Sequence, residues 1–422
     1  MEPSSQQPTP QTGSSSSQQQ SAPRRPPAYQ RPPAAQQHTD RYWLHALLFL
    51  ATLASTVVVG GMMAGRTLLY GSDNLTALLT NRAFLMDGLR YSGALLGFLT
   101  VHEFGHYFAA RSHRINTSLP YYIPFPLNII GTLGAVISIR EPLPDRRRLF
   151  DVGAAGPLAG FVVAFGVIVY AMATLPDPSY LLDQPGHEAI KEFIRQNGAY
   201  PDEILAMPEG ENVVVPVVGN TLLFAILKPF FGPMPPMYEL LHYPVLFAGW
   251  LALFFTALNL LPVGQLDGGH ITYALFGRKW HGRIARVFTT LLLVSGALGF
   301  VHNYLPELAG QSPTYGALGW FALAGVLYFF LSRVYKRDHR IVAPLLLGTL
   351  GLAVAARTVA EPLTRFGWTP WFFWAVLIVY LIKVDHPPVQ REVSLTPRRR
   401  WLGYLAIVIF VLCFSFRPIY IL

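Results

Sequence analysis

Residues 101–106 read Val-His-Glu-Phe-Gly-His, and this stretch lies near the end of an uncharged run that begins at Tyr91. His102 and His106 are four residues apart, so on an α-helix they lie one turn apart on the same face. Two neutral imidazoles in this arrangement can bind one Zn²⁺, and Glu103 beside them can act as a general base towards water. The stretch therefore predicts a metal site on a helix.

The surroundings of this motif distinguish it from a chance match. H-E-x-x-H is a short pattern, and in a charge-rich soluble helix it is as easily a set of surface residues. Here the run from Tyr91 to Val101 has no charge, and the apolar segment continues to Ala110. Ionisable groups inside an apolar helix of membrane length are costly unless they are paired or bind a metal. The context therefore favours a metal site.

The composition is that of a membrane protein. The chain has 422 residues, of which 52% are hydrophobic and 13% are charged, and several apolar runs reach the length of a membrane span. Its one cysteine, Cys413, excludes a disulfide framework and a zinc site built from several cysteines. The net charge of +9 predicts positively charged cytoplasmic loops, and we expect a lipid bilayer and no nucleic acid as its partner.

Apolar runs along the chain predict about nine membrane-spanning helices and an all-α polytopic membrane protein. Residues 1–40 precede them as a low-complexity tail of Ser, Gln, Pro and Ala, which we expect to be disordered because it cannot bury a core. The predicted spans are residues 43–69, 85–110, 150–175, 244–261, 287–301, 317–331, 341–356, 371–382 and 401–420.

The arginines and lysines orient these spans. They cluster on alternate connections, on the same side as the arginines of the N-terminal tail, and the positive-inside rule makes that side cytoplasmic. The long connection 176–242 then lies outside, in agreement with its excess of acidic residues. The pattern predicts an integral multi-pass protein of a bacterial inner membrane with a cytoplasmic N-terminus.

An unusual segment, residues 116–145, lies between the second and third spans. The prolines of residues 119–126 forbid a simple helix, whereas residues 131–140 are β-branched and bounded by glycine, as in a strand. Apolar strand character at a membrane predicts a short re-entrant β-hairpin, with a plain interfacial loop as the alternative. An exposed strand edge here could pair with an unwound peptide by β-augmentation.

The fourth span ends in a second informative stretch, residues 258–270. Asp267 is an anion in an otherwise uncharged run and needs a partner, and a divalent metal held by two histidines is the best one available. Asn259 could donate a hydrogen bond to a carbonyl or an oxyanion. As an alternative, Asn259 and His270 cap a broken helix or bond free backbone groups. A site role for His270 stays open.

At these two stretches the chain resembles the site-2 protease family of intramembrane metalloproteases. The resemblance rests on residues 102–106 in one span and on Asn259-Leu-Leu-Pro262 leading to Leu266-Asp267-Gly268 in a later one. Gly131-Thr-Leu-Gly134 and the small-residue run 153–160 are also similar to that family. Two separated motifs in the correct order are more specific than H-E-x-x-H alone, and the resemblance covers about residues 85–290.

The resemblance implies a zinc metalloendopeptidase whose substrate is a transmembrane protein, cut in or near the bilayer in regulated intramembrane proteolysis. It implies that His102, His106 and Asp267 bind zinc. It also implies that Glu103 activates the water and that Asn259 holds the scissile carbonyl or its oxyanion. The strand edge offered to the substrate would consist of Thr132, Leu133, Gly134, Ala135 and Val136.

The domain organisation implied is the tail at 1–40, a membrane-embedded six-span protease core at 41–300 and additional transmembrane spans at 301–422. Connection 176–242 would be an extracytoplasmic loop, too short and too proline-rich for the PDZ domain that common bacterial members carry there. The sequence indicates no role for the predicted spans after residue 300.

Three other function classes compete with this interpretation. A catalytically silent metal-binding membrane protein would keep the same motifs. A membrane transporter would favour several intramembrane charges along a path, or paired inverted repeats, and neither is clear here. A prenyl-protein protease takes a later glutamate as its third ligand, where this chain offers Asp267. The sequence leaves the oligomeric state open.

Overall fold

The computed structural model describes residues 41–64, 81–126, 128–184, 188–201 and 216–421. The described residues from Arg41 onwards belong to one compact unit. The N-terminal tail, predicted to be disordered, lies outside the described residues, as does the end of the predicted first span.

The described chain is mainly helical. Its α-helices are α1 (Tyr42–Met63), α2 (Arg82–Ser112), α3 (Arg146–Ala173), α4 (Glu188–Asn197), α5 (Leu222–Leu227), α6 (Pro244–Asn259), α7 (Asp267–Asn303), α8 (Leu305–Gln311), α9 (Pro313–Val334), α10 (His339–Thr358), α11 (Trp371–Val376) and α12 (Pro397–Cys413). Short 3₁₀ turns cover Pro178–Asp183, Lys228–Phe230, Leu240–His242 and Glu361–Phe366, and a π-helical turn covers Leu377–Ile382.

Polar side chains fix where the long helices begin. The side chain of Asn81 accepts hydrogen bonds from the first backbone amides of α2, and that of Asp145 does the same for α3. Ser312 and Asp338 cap α9 and α10 in the same way. Each cap satisfies amides that have no partner within the helix, so the helix starts there.

Five helical segments are long and apolar enough to cross a membrane: Tyr42–Met63, Arg146–Ala173, Asp267–Gln311, Pro313–Val334 and His339–Thr358. Helix α2, with 31 residues, has the length of a span but carries the ionisable groups of the motif. Pro244–Asn259 and Trp371–Ile382 are shorter apolar helices, and the second is only about 18 Å long. The count of nine spans therefore stays a prediction.

Helix α7 differs from the predicted span that starts at 287. It begins at Asp267 and runs to Asn303 with a kink at Gly277, where φ is +79°. Glycine takes this left-handed conformation without a steric cost, so the helix bends there instead of ending. The kink sets Asp267 on a short helical arm ahead of the main span.

Residues 121–136 contain a β-hairpin. Strand β1 (Tyr121–Phe125) pairs antiparallel with β2 (Gly131–Val136), with an irregularity between Tyr122 and Pro124. The hydroxyl of Ser55 on α1 donates to the carbonyl of Gly131 at 2.6 Å. The strands thus pack on α1, and the re-entrant position of this hairpin in a membrane stays a prediction.

A second, smaller sheet joins distant parts of the chain and was not predicted. Strand β3 (Pro216–Val218) pairs antiparallel with β4 (Ile419–Ile421), with Val217 opposite Tyr420. Beside it, the indole of the buried Trp250 donates to the carbonyl of Gly219 at 2.8 Å. The connection between α3 and α6 is therefore tied to the segment that follows α12.

Ion pairs join several of the connections that carry the positive charges. Asp151 near the start of α3 accepts two 2.7 Å bonds from Arg399 near the start of α12. Asp385 bonds Arg286 at 2.7 Å and Lys336 at 3.0 Å. These ion pairs tie cationic connections to one another, and the side of a membrane that they face stays a prediction.

Candidate metal centre

Helix α2 presents the motif residues into the protein interior. His102, Glu103 and His106 are all buried, and helical spacing places the two histidine rings 4.8 Å apart. Their Nε2 atoms are 3.1 Å apart. Both imidazoles therefore point at a common position.

The kinked arm of α7 brings Asp267 to the same position. Its Oδ2 atom lies 3.5 Å from Nε2 of His102 and 3.2 Å from Nε2 of His106. Three ligand atoms around one tetrahedral zinc ion are separated by about 3.3 Å, given usual zinc–ligand bond lengths. The three observed separations lie close to that value, so the donor set fits zinc.

The orientation of His106 suits a role as a metal ligand. Its Nδ1 atom lies 2.7 Å from the carbonyl oxygen of Val152, which can only accept a hydrogen bond. Nδ1 therefore carries a proton, and in the neutral ring the lone pair of Nε2 would face His102 and Asp267. A cation at the position that the three donor atoms share would be coordinated by this lone pair.

Glycines on α3 allow this cluster to form. A methyl group on Gly156 would collide with the ring of His106, and one on Gly160 would lie 3.1 Å from Nδ1 of His102. On α2, Gly105 lies against the carbonyl of Ala155. The small-residue run 153–160 is thus where α3 meets the histidine pair.

Glu103 lies beside the three ligand atoms without being one of them. Its Oε1 atom is 4.0 Å from Nε2 of His102. The backbone amide of Ile137, directly after β2, also faces the carboxylate of Glu103. A base in this position can reach a water molecule at the metal and faces the end of the hairpin.

Asn259, the last residue of α6, reaches the same position. Its Nδ2 atom lies 3.2 Å from Nε2 of His102. The alternative was that Asn259 caps a broken helix or bonds free backbone groups. In the described part of the chain, its side chain contacts His102 instead. The amide is a hydrogen-bond donor at the metal site, where a carbonyl or oxyanion could use it.

The five residues of the predicted substrate edge differ in exposure along β2. Thr132 and Ala135 are buried, and the hydroxyl of Thr132 donates to the carbonyl of Ile123 at 2.8 Å. Leu133 and Val136 are exposed. Gly134 has a positive φ of +103° within the strand. Among the described residues β1 is the one strand partner of β2, which leaves its other edge unpaired.

His270 contacts a residue that was not among the predicted site residues. Its Nδ1 atom lies 2.8 Å from Nε2 of His386, far along the chain. The carbonyl of Val152 was also missed, because every residue has a carbonyl and the sequence does not mark this one. Nδ1 of His102 is buried with no hydrogen-bond partner in the described part of the chain.

Comparison with known families agrees with this geometry. A profile of "Peptidase family M50" matches residues 91–301, which is half of the chain. The chain belongs to peptidase family M50. This is the family of the site-2 proteases, so the resemblance seen in the two motifs is confirmed.

Curated relatives of this M50 member carry related names. It is 28% identical over 255 residues to "Probable zinc metalloprotease EGY1, chloroplastic" of Oryza sativa subsp. japonica, covering 56% of this chain and 38% of the relative. It is 30% identical over 237 residues to the EGY2 protein of the same description from Oryza sativa subsp. indica, covering 55% and 37%. The EGY1 protein of Arabidopsis thaliana is 29% identical over 255 residues, covering 57% and 40%.

The chain thus spans two fifths or less of the length of these three relatives. No solved structure matches it.

Proposed function

We propose that this M50 member is an intramembrane zinc metalloprotease that hydrolyses a peptide bond in or near a transmembrane segment of a membrane-tethered substrate. One observation carries the proposal. Two motifs about 160 residues apart in sequence supply three donor atoms at zinc spacing, with a carboxylate and an amide beside them. The names of the zinc metalloprotease relatives support zinc as the metal.

Each side chain of the site has a role in this reaction. His102, His106 and Asp267 would hold the zinc ion. When bound, zinc acidifies water and polarises a carbonyl. Glu103 takes the proton of the attacking water and passes it to the leaving amine. The amide of Asn259 donates to the carbonyl oxygen as negative charge develops on it.

The unpaired edge of β2 is our candidate for binding the substrate. A helix hides its carbonyls in its own hydrogen bonds, so a transmembrane segment must unwind before it is cut. An unwound segment could add to residues 132–136 as a further strand. The contact of Ile137 with Glu103 supports this role, because it sets the end of the edge beside the general base.

We propose a multi-pass location with the cationic connections and the N-terminus in the cytoplasm. The ion pairs that gather these connections at one set of helix ends support the orientation. The relatives named above are described as chloroplastic, and the bacterial inner membrane predicted from this sequence stays a prediction. The partners proposed are a lipid bilayer and a transmembrane substrate.

A substitution of the general base tests the function. Glu103→Gln keeps the shape and the zinc ligands but cannot accept the proton. We expect about one zinc per chain, as in the parent, and at least a hundredfold slower cleavage of a single-span reporter protein with Gly-Pro in its membrane segment. The measurements are metal content of the purified protein and gel-based cleavage in proteoliposomes.

Asp267→Ala is the companion variant, and we expect it to lose zinc. Undiminished cleavage by Glu103→Gln would end the proposed mechanism. A zinc content that is unchanged in Asp267→Ala would remove Asp267 from the ligand set. A folded parent that binds zinc but cleaves no reporter would support the silent metal-binding protein instead.

A further inference from the structure

The connection between the π-helical turn and α12 lies across the arm that carries Asp267. We define residues 383–392 as the strap. It lies outside the region matched to family M50, residues 91–301, and thus belongs to the part of the chain to which the sequence assigned no role. Within the described structure, the strap contacts residues that precede and residues that follow Asp267 in the sequence.

The first contact is with the turn before Asp267. The backbone amide of Gly264 donates to the carbonyl of Val384 at 3.1 Å. Gly264 has φ +51°, and a methyl group on it would collide with the carbonyl of Lys383. The turn that leads into α7 is therefore built against the strap, and Gly264 has to be a glycine for two independent reasons.

The second contact is with the first turns of α7. Nδ1 of His386 lies 2.5 Å from the carbonyl oxygen of Pro387, so it carries the proton of this ring. Its Nε2 atom is then an acceptor, and Nδ1 of His270 donates to it at 2.8 Å. The strap thereby selects one tautomer of His270 and holds its ring in one orientation.

His270 in turn lies between two parts of the metal centre. It follows Asp267 by three residues, so the two are neighbours on one helix face. A methyl group on Gly153 would collide with the Cβ atom of His270. Gly153 follows Val152, whose carbonyl accepts a hydrogen bond from His106. A shift of this ring would displace the supports of two proposed ligands.

The strap itself is held firmly at several points. Asp385 is bound by Arg286 and Lys336. Burial alone would raise the pKa of Asp385, but the Lys336 hydrogen bond and the Arg286 charge together hold it below its usual value, so Asp385 is anionic at neutral pH. At the other end, the amide of Arg391 donates to the carbonyl of Pro144. A segment anchored at both ends can hold His386 in place.

We propose that His386 is a positioning residue, which acts through His270 to keep Asp267 and His106 in the geometry that binds zinc. The proposal rests on the proposed function of the metal centre. It gives part of the chain after residue 301 a role, since the strap then completes the surroundings of a site whose ligands all come from earlier helices.

The rate of zinc release tests this role apart from proteolysis. The purified zinc-loaded parent and variants are mixed with the chelator 4-(2-pyridylazo)resorcinol, and the release of zinc is followed by absorbance. We expect His386→Ala to release zinc about 10- to 100-fold faster than the parent, the usual effect of removing a residue that supports a metal ligand.

Two further variants separate positioning from folding. His386→Gln places an amide oxygen near the position of Nε2 and should restore slow release, whereas a purely structural defect would not be repaired by this acceptor. His302→Ala changes an exposed histidine of the same helix as His270 and should release zinc as the parent does. The double variant His270→Ala/His386→Ala should be no faster than His270→Ala alone.

Parental release by His386→Ala would overturn the positioning role and leave the proposed function standing. Equal acceleration by His386→Gln and His386→Ala would overturn it as well. A parent without zinc would instead count against the metal centre itself, so the two failures are distinguishable.

Discussion

At the scale of single residues, the absence of a side chain at Gly156 is as important for the site as the presence of one at His106. A methyl group at Gly156 would occupy the space of the imidazole. We expect Gly156→Ala to push His106 out of the ligand set and to reduce the zinc content to well below half of the parental value. Metal analysis of the purified variant gives the result.

Gly166 provides the matched control on the same helix. It is exposed, and no atom lies within 4 Å of a methyl group placed there. Gly166→Ala should keep its zinc, because alanine favours a helix over glycine by about 1 kcal/mol. Full zinc content in Gly156→Ala would mean that α3 does not constrain His106.

The residues of the site were predictable to different degrees. A spacing of four on a helix indicated the histidine pair, and an isolated anion in an apolar run indicated Asp267. Both inferences need only local sequence. The contact between His270 and His386 joins residues 116 positions apart through a polar connection, and no local pattern marks such a pair.

At the scale of secondary-structure elements, the hairpin depends on one buried hydroxyl. Thr132 donates to the carbonyl of Ile123 and accepts from the amide of Gly134. Thr132→Ala would leave both groups unsatisfied, at a cost of about 1–3 kcal/mol. We expect a several-fold higher KM for the single-span reporter and an unchanged zinc content, measured by cleavage kinetics and metal analysis.

Thr132→Ser keeps the hydroxyl and is the control for this prediction. It should bind the reporter nearly as the parent does. If Thr132→Ala showed a parental KM, the hairpin would not be the substrate edge that we propose. If it lost zinc, the hairpin would be supporting the metal centre instead.

Helices were easier to predict than their interruptions. The bounds of α3 and α10 follow within a few residues from apolar runs, since burial in lipid or protein demands such runs. The kink at Gly277 escaped prediction because a single glycine inside an apolar helix is common. Strands β3 and β4 escaped it because each has three residues and its partner is remote.

At the scale of the whole molecule, the proposed orientation puts the cationic connections inside the cell and connection 176–242 outside. It therefore predicts which cysteine variants a reagent added outside the cell can label. Phe230 and Trp280 are both exposed, and they lie at opposite ends in the proposed orientation. In intact cells, a membrane-impermeant maleimide should react with the Phe230→Cys variant. It should react with the Trp280→Cys variant only after permeabilisation.

The native cysteine gives this experiment a low background. Cys413 is 1% exposed, so the parent should not react. Reaction of the Trp280→Cys variant in intact cells, with none at Phe230→Cys, would reverse the proposed orientation. Reaction of both from outside would contradict the arrangement of the spans.

The pairing of β3 with β4 also sets an order of events during synthesis. Strand β4 is made about 200 residues after β3, which at 5–20 residues per second is a delay of about 10–40 s. During this time the connection between α3 and α6 has left the ribosome without its partner strand. Strand β4 follows α12 in the chain, so the two strands can pair only after this helix has been made. The pairing of β3 with β4 is therefore later in synthesis than both the strap and α12.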